Sequence, residues 1–127
     1  MRRELDTALV KDFPNLYRDR DGDVKETLMC FGFECGDGWE LLIRKLSSQL
    51  EALILKIPES KRALYRAVQV KEKFGTLRFY MTYETDEMSD LIRIAEDEST
   101  VTCEICGAPG ELRGPGWLYT ACEKHVK

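Results

Sequence analysis

The sequence contains a single histidine, His125, and that scarcity excludes much chemistry. A catalytic zinc site needs an open coordination position and a nearby base. A Cys–His nucleophile pair needs an imidazole of its own. If His125 serves a structural metal, no histidine remains for either role. Neither a phosphate loop of the G-x-x-x-x-G-K-[ST] type nor a G-x-G-x-x-G dinucleotide fingerprint occurs. No apolar run approaches the roughly 20 residues of a membrane span. Internal repeats and low-complexity tracts are absent. The N-terminus, Met1-Arg2-Arg3-Glu4-Leu5-Asp6, turns polar and acidic at once, which predicts no secretory signal. Cysteines without an export signal point to a reducing, cytoplasmic setting, where thiolate–metal bonds are favoured over disulfides. An enzyme is therefore the least supported class, although metal-independent catalysis by Cys30 or Cys35 with carboxylates stays open.

What the sequence does have is concentrated in its last 25 residues. Cys103-Glu-Ile-Cys106-Gly107 is followed, after a 15-residue insert, by Cys122-Glu-Lys-His125. The C-x2-C and C-x2-H pairs match a structural zinc site, because a two-residue spacer lets both ligands of a pair face one ion. The insert carries Gly110, Gly114-Pro115-Gly116 and the apolar run Trp117-Leu118-Tyr119, which predicts a short hairpin with its tip at Gly114–Gly116. Cys122 and His125 are three apart and share a face if a helical turn opens there. Knuckle, hairpin and helical turn in that order form a treble-clef-like finger. Four protein ligands, Cys103, Cys106, Cys122 and His125, leave no open position, so one zinc ion is expected in a structural role.

At 127 residues, 43% hydrophobic and 33% charged, the chain is expected to form one soluble globular unit with a small appendage. The net charge of −4 is unevenly spread. Residues 61–83 hold six basic groups against Glu72 alone, whereas residues 84–98 hold seven acidic groups against Arg93. An acidic chain with one basic strip is a poor binder of duplex DNA, which needs many phosphate contacts.

The periodicity predicts a short helix over residues 2–12 with Leu5, Ala8 and Leu9 on one side, stopped by Phe13-Pro14. Asp19-Arg-Asp21-Gly22-Asp23 superficially suggests calcium, but an EF-hand needs glycine and an acid where Val24 and Cys30 stand, so a solvated turn is expected. Thr27 to Cys35 reads as a strand or a turn, with Cys30 and Cys35 as buried core cysteines rather than a second metal pair. Asp37 is the expected N-cap of a long helix from Trp39 to Ile57, with Trp39 a core anchor. Val68 and Val70, then Leu77, Phe79 and Met81, alternate with polar residues around Phe74-Gly75 and predict a β-hairpin. Its outward face gathers Gln69, Lys71, Lys73, Arg78 and Tyr80. Lys71, Lys73, Arg78 and Tyr80 are the candidate ligand-binding residues, since cations pair with phosphate while a ring stacks a base. The alternative is a solvated face whose lysines blunt a sheet edge. Thr85 is expected to cap a last helix whose stripe is Met88, Leu91, Ile92 and Ala95, with Asp90, Arg93, Glu96 and Asp97 in solvent.

In its Gly36-Asp37-Gly38-Trp39 segment, its Val70–Tyr80 hairpin and its Cys103–His125 finger, the chain resembles a group of small phage, prophage and bacterial proteins with those segments in that order. The resemblance implies zinc on Cys103, Cys106, Cys122 and His125 and a mobile-element setting, and it names no reaction. The expected architecture is α+β. A small antiparallel sheet packs on two amphipathic helices over residues 1–98, and a finger over 99–127 docks on that body through Trp117 and Leu118. The expected function is non-catalytic binding of a host protein, with inhibition of a defence system as a specific version. Binding of a nucleotide or short nucleic acid on the hairpin face is the alternative.

Overall fold

The computed structural model describes residues 1–127 and has the expected α+β architecture. Helix α1 spans Arg3–Asp12, followed by an irregular stretch to a two-residue strand β1 (Phe33–Glu34). Helix α2 spans Glu40–Leu55, the hairpin strands β2 and β3 span Ala67–Lys73 and Thr76–Met81, and helix α3 spans Asp86–Ser99. Two three-residue strands, β4 (Glu111–Arg113) and β5 (Tyr119–Ala121), form the C-terminal hairpin. No helix is long and apolar enough to cross a membrane.

Helix α2 is the central element. Trp39, Ile43, Leu46, Leu50 and Ile54 are fully buried at a spacing of three and four. Ser47 takes one turn of that stripe, where its hydroxyl donates to Ile43 O and meets the Tyr17 hydroxyl. Glu51, also buried, accepts from the Asn15 and Leu16 backbone N–H groups and from Asn15 Nδ2. This carboxylate ties the segment after α1 to α2, so Leu16 and Tyr17 enter the core. The helix begins at Glu40, one residue later than expected. A 3-10 turn over Asp37–Trp39 precedes it, and Asp37 does not cap: its carboxylate accepts from Arg2 N and pairs with the Arg2 guanidinium.

The hairpin is antiparallel, as its alternation predicts, and β1 adds to the other edge of β2 in parallel. A register shift between Ala67 and Gln69 puts Ala67 and Val70 into the core, and Val68 turns half-buried toward Leu28. Simple alternation assigns Val68 to the core because the sequence does not reveal a bulge. Phe74 and Gly75 make the two-residue turn with φ of 54° and 82°. Positive φ at both positions suits a hairpin, but it costs a non-glycine residue about 1–2 kcal/mol.

Helix α3 starts with Met88 N donating to the Thr85 hydroxyl, the expected cap. It lies along β3 as well as α2. The Leu77 and Phe79 N–H groups on the free edge of β3 donate to Ser99 Oγ (2.9 Å) and Glu96 Oε2 (3.0 Å). Glu96, expected in solvent, is therefore a sheet-edge acceptor. Burial pushes its carboxyl above the ordinary range, against the opposing pull of the Phe79 N–H. In the aspartate-rich turn, the Asp19 carboxylate pairs with Arg66 and Asp23 accepts from Lys25 N.

Candidate metal centre

The four residues singled out by spacing converge. One ligand atom each from Cys103, Cys106, Cys122 and His125 falls within 4.8 Å of the others, and no disulfide joins any pair of cysteines. Each is placed by local structure. The Cys103–Cys106 knuckle closes through Gly107 N donating to Cys103 O, and Gly107 adopts a φ of 80° that only glycine takes without cost. The β4–β5 pair returns the chain to Cys122, and a 3-10 turn over Glu123–His125 swings the ring back. The hairpin is as expected, whereas the terminal turn opens at Cys122 and not at Thr120 or Ala121, which belong to β5.

The spacings test whether the set fits an ion. With metal–sulfur bonds of about 2.3 Å and metal–nitrogen bonds of about 2.0–2.1 Å, a tetrahedral zinc site has S···S edges of about 3.8 Å and S···N edges of about 3.6 Å. Cys106 Sγ and Cys122 Sγ are 3.7 Å apart, and His125 Nδ1 lies 3.6 Å from Cys103 Sγ and 3.2 Å from Cys122 Sγ. Two of these three spacings match tetrahedral edges and the Cys122–His125 spacing is shorter; with all four donor atoms within 4.8 Å of one another, the set fits a metal ion with Nδ1 as the imidazole donor. Cys103 is held down at about 6: burial raises it, but backbone N–H groups of Cys122, Cys106 and Ile105 outweigh that by stabilising the thiolate. A metal needs that ionised form.

The site is fastened to the body at two glycine contacts. At the first, Gly36 N donates to Glu104 Oε2 and Gly38 N to Glu104 O, both at 2.8 Å. The indole N–H of Trp39 donates to Thr102 O, also at 2.8 Å. A Cβ on Gly36 would overlap Glu104 O and one on Gly38 would overlap Cys103 O, so only glycine permits this approach. Burial holds the Glu104 carboxyl above its usual range, and the Gly36 N–H opposes the shift. At the second contact, the Thr120 hydroxyl donates to Gly75 O at 2.7 Å, and a Cβ on Gly75 would strike Leu112 Cδ1 at 2.6 Å.

Thr102, Glu104, Leu112 and Thr120 make these contacts, and the expectation that the finger docks through Trp117 and Leu118 is corrected for Trp117, which stands in solvent. Trp117 is 81% exposed and Leu118 37%. Both precede β5, which begins at Tyr119, and both line an open cleft shared with Glu72, Lys73 and Phe74 of the body hairpin. Sequence reasoning saw the turn glycines but not what they approach; the signal was a glycine on each side of Asp37, directly before the anchor Trp39.

The candidate ligand residues do not form one site. Lys71 pairs across the strands with Arg78, and Gln69 with Tyr80, on one face. Lys71, Gln69 and Tyr80 line a shallow concavity with Val68 and the 24–28 segment. Lys73 instead lines a cleft at the hairpin tip. Arg78 is half-buried, and its Nε has no hydrogen-bond partner. Cys35 belongs to the main core, and Cys30, half-buried, donates its thiol to Thr27 O.

No protein-family model, curated protein or solved structure matches this chain.

Proposed function

We propose that the metal is one zinc ion in a structural role, and that the protein is a non-catalytic binding protein, encoded by a phage or prophage, that acts in the host cytoplasm by binding a host protein. The observation that carries this reading is the donor set of three sulfurs and one nitrogen: all four donors are side chains of this chain and lie within 4.8 Å of one another. A tetrahedral ion so held has no position left for substrate or water. The finger's own core is only Cys103, Ala121 and Cys122 with Ala108 and Tyr119 against it. Apparent zinc-binding free energy of about 10–16 kcal/mol at such sites supplies what that core cannot.

Two features support a protein partner. The outer face of α3 presents Asp86, Glu87, Asp90 and Asp97 in solvent, an acidic strip suited to a basic surface. The finger tip presents Trp117, the residue type most enriched at the energetic centres of interfaces. Inhibition of a host defence enzyme is the specific form of this reading. The test is recovery of a stoichiometric partner from bacterial lysate by the zinc-loaded protein, with loss of that partner in the Glu87→Lys/Asp97→Lys variant. Absence of any stoichiometric partner contradicts the reading.

A second reading, binding of a nucleotide or short nucleic acid, is favoured by the pairing of Lys71 with Arg78 and of Gln69 with Tyr80 on the outer hairpin face. Lys71→Glu with Tyr80→Ala then abolishes nucleotide binding while the melting temperature holds.

A further inference from the structure

Two aromatic side chains flank one cleft at the junction of body and finger, and neither serves the fold. Phe74 is 65% exposed and Trp117 81%. Together with Glu72, Lys73, Gly116 and Leu118 they line a cleft of about 550 Å³, within the range of small-ligand sites. Phe74 occupies a turn position where φ is 54°. Asparagine or glycine would hold that turn at less cost, and burial does not compensate a phenyl ring left in water. A strained, exposed aromatic is an observation that points to use.

The polar groups of the cleft are specific. Glu72 is already engaged, its Oε2 accepting Gly75 N–H at 2.7 Å. Lys73 is not ion-paired, and its ammonium stands 5.6 Å from the centroid of the Phe74 ring. Lys71 and Arg78 pair farther along the hairpin and do not line this cleft, so Lys73 is its cation. Two aromatic rings, with an ammonium outside any ion pair over one of them, complement a planar ring that carries an anionic group.

We propose that this cleft binds a nucleobase carrying a phosphate, the ring against Phe74 and Trp117 and the phosphate on Lys73. The ligand is a free nucleotide or a base of a single strand. The site deepens the second reading above by moving its centre from Lys71 and Tyr80 to the hairpin tip. It requires no covalent step and no additional metal.

The test uses the zinc-loaded full chain with AMP, a short oligo(dA) and inorganic phosphate. Trp39 is fully buried, so ligand-dependent quenching of tryptophan fluorescence reports Trp117. Quenching by AMP or oligo(dA), and not by phosphate, is expected; a lower half-saturation for the oligonucleotide assigns the strand, and equal values assign the free nucleotide. Phe74→Gly is the decisive variant. It weakens binding by about tenfold or more, yet leaves the melting temperature unchanged or higher, because glycine relieves the turn. Lys73→Glu weakens binding by a similar factor and flattens its salt dependence. A fall in melting temperature for Phe74→Gly, with binding intact, makes Phe74 structural and overturns the proposal. Binding measured by calorimetry that survives Phe74→Gly and Trp117→Leu but needs Lys71 and Tyr80 also overturns it, while leaving the outer-face reading standing. Failure of every nucleotide probe, with loss of a protein partner in the same two variants, overturns it as well and reassigns the cleft to protein docking.

Discussion

Gly38 donates its backbone N–H to the carbonyl oxygen of Glu104 at 2.8 Å, and a Cβ on its Cα would overlap the carbonyl oxygen of Cys103. A residue 66 positions away from Glu104 in the chain thus forms the floor on which the metal knuckle rests. Trp39 extends the contact, with its ring in the core and its indole N–H on Thr102 O. The glycine pair before α2 and the cysteine knuckle are two sides of one joint.

That joint makes Gly38→Ala costly. The added methyl meets backbone, which cannot rotate aside, so the cost falls in the overpacking range of about 1–3 kcal/mol or slightly above. Thermal denaturation of the zinc-loaded variant is expected to show a melting temperature lower by several degrees, with faster zinc loss to a chelator. An unchanged melting temperature would mean that the finger does not rest on Gly38.

The second joint separates docking residues from exposed ones. Thr120 is buried and donates to Gly75 O, whereas Trp117 is in solvent. Thr120→Val leaves Gly75 O without its donor and is expected to destabilise by about 1–3 kcal/mol. Trp117→Ala is expected to change stability by no more than about 0.5 kcal/mol. Chemical denaturation of the two variants checks the contrast, and a large loss for Trp117→Ala would reinstate it as a docking residue.

Glu96 gives the stability of the fold a pH dependence of known sign. Burial raises its carboxyl above the ordinary range, so the folded state holds the proton more tightly than the unfolded chain. The resulting stabilisation is full below the unfolded carboxyl value of about 4.3 and is lost as pH rises through the raised folded value. Glu96→Gln keeps an acceptor for the Phe79 N–H and removes the titration. Its melting temperature relative to the native protein is expected to rise between pH 4 and pH 7; a relative fall would show that the carboxylate is stabilised in place.

How far the sequence led can be judged from particular residues. The stripe on α2, the Thr85 cap and the convergence of Cys103, Cys106, Cys122 and His125 were legible because each rests on local spacing: three and four along a helix, three for a cap, two between the members of each pair. What was illegible depends on residues far apart. The bulge that turns Val68 outward depends on which chain lies beside β2, and the role of Glu96 depends on α3 lying along a sheet edge. Asp37 has every property of an N-cap, but Arg2 claims its carboxylate. Trp117 has the composition of a docking residue, but its side chain stands in solvent, which residue type does not encode. The basic residues share a face by period two, but the hairpin tip divides Lys73 from Lys71, a division that alternation does not encode.

The cysteines divide by chemistry into three classes. Cys103, Cys106 and Cys122 belong to the cluster that could hold a metal, Cys30 is half-buried, and the Cys35 thiol is pushed up to about 12 by burial, with Glu104 and Asp37 also opposing the thiolate. At pH 8 a thiol reagent is expected to modify no more than Cys30 in the metal-loaded protein. A chelator should then release the three ligand thiols together, and Cys35 should react only after unfolding. Stepwise release of the three, one at a time, would contradict a single shared ion.

The most direct test is the composition of the coordination sphere itself. Elemental analysis combined with zinc-edge X-ray absorption on protein purified without chelator measures both the metal and its neighbours. The account predicts one zinc per chain, with three sulfurs at about 2.3 Å and one nitrogen at about 2.0–2.1 Å. No bound metal, or an oxygen in place of one of those four neighbours, would contradict it.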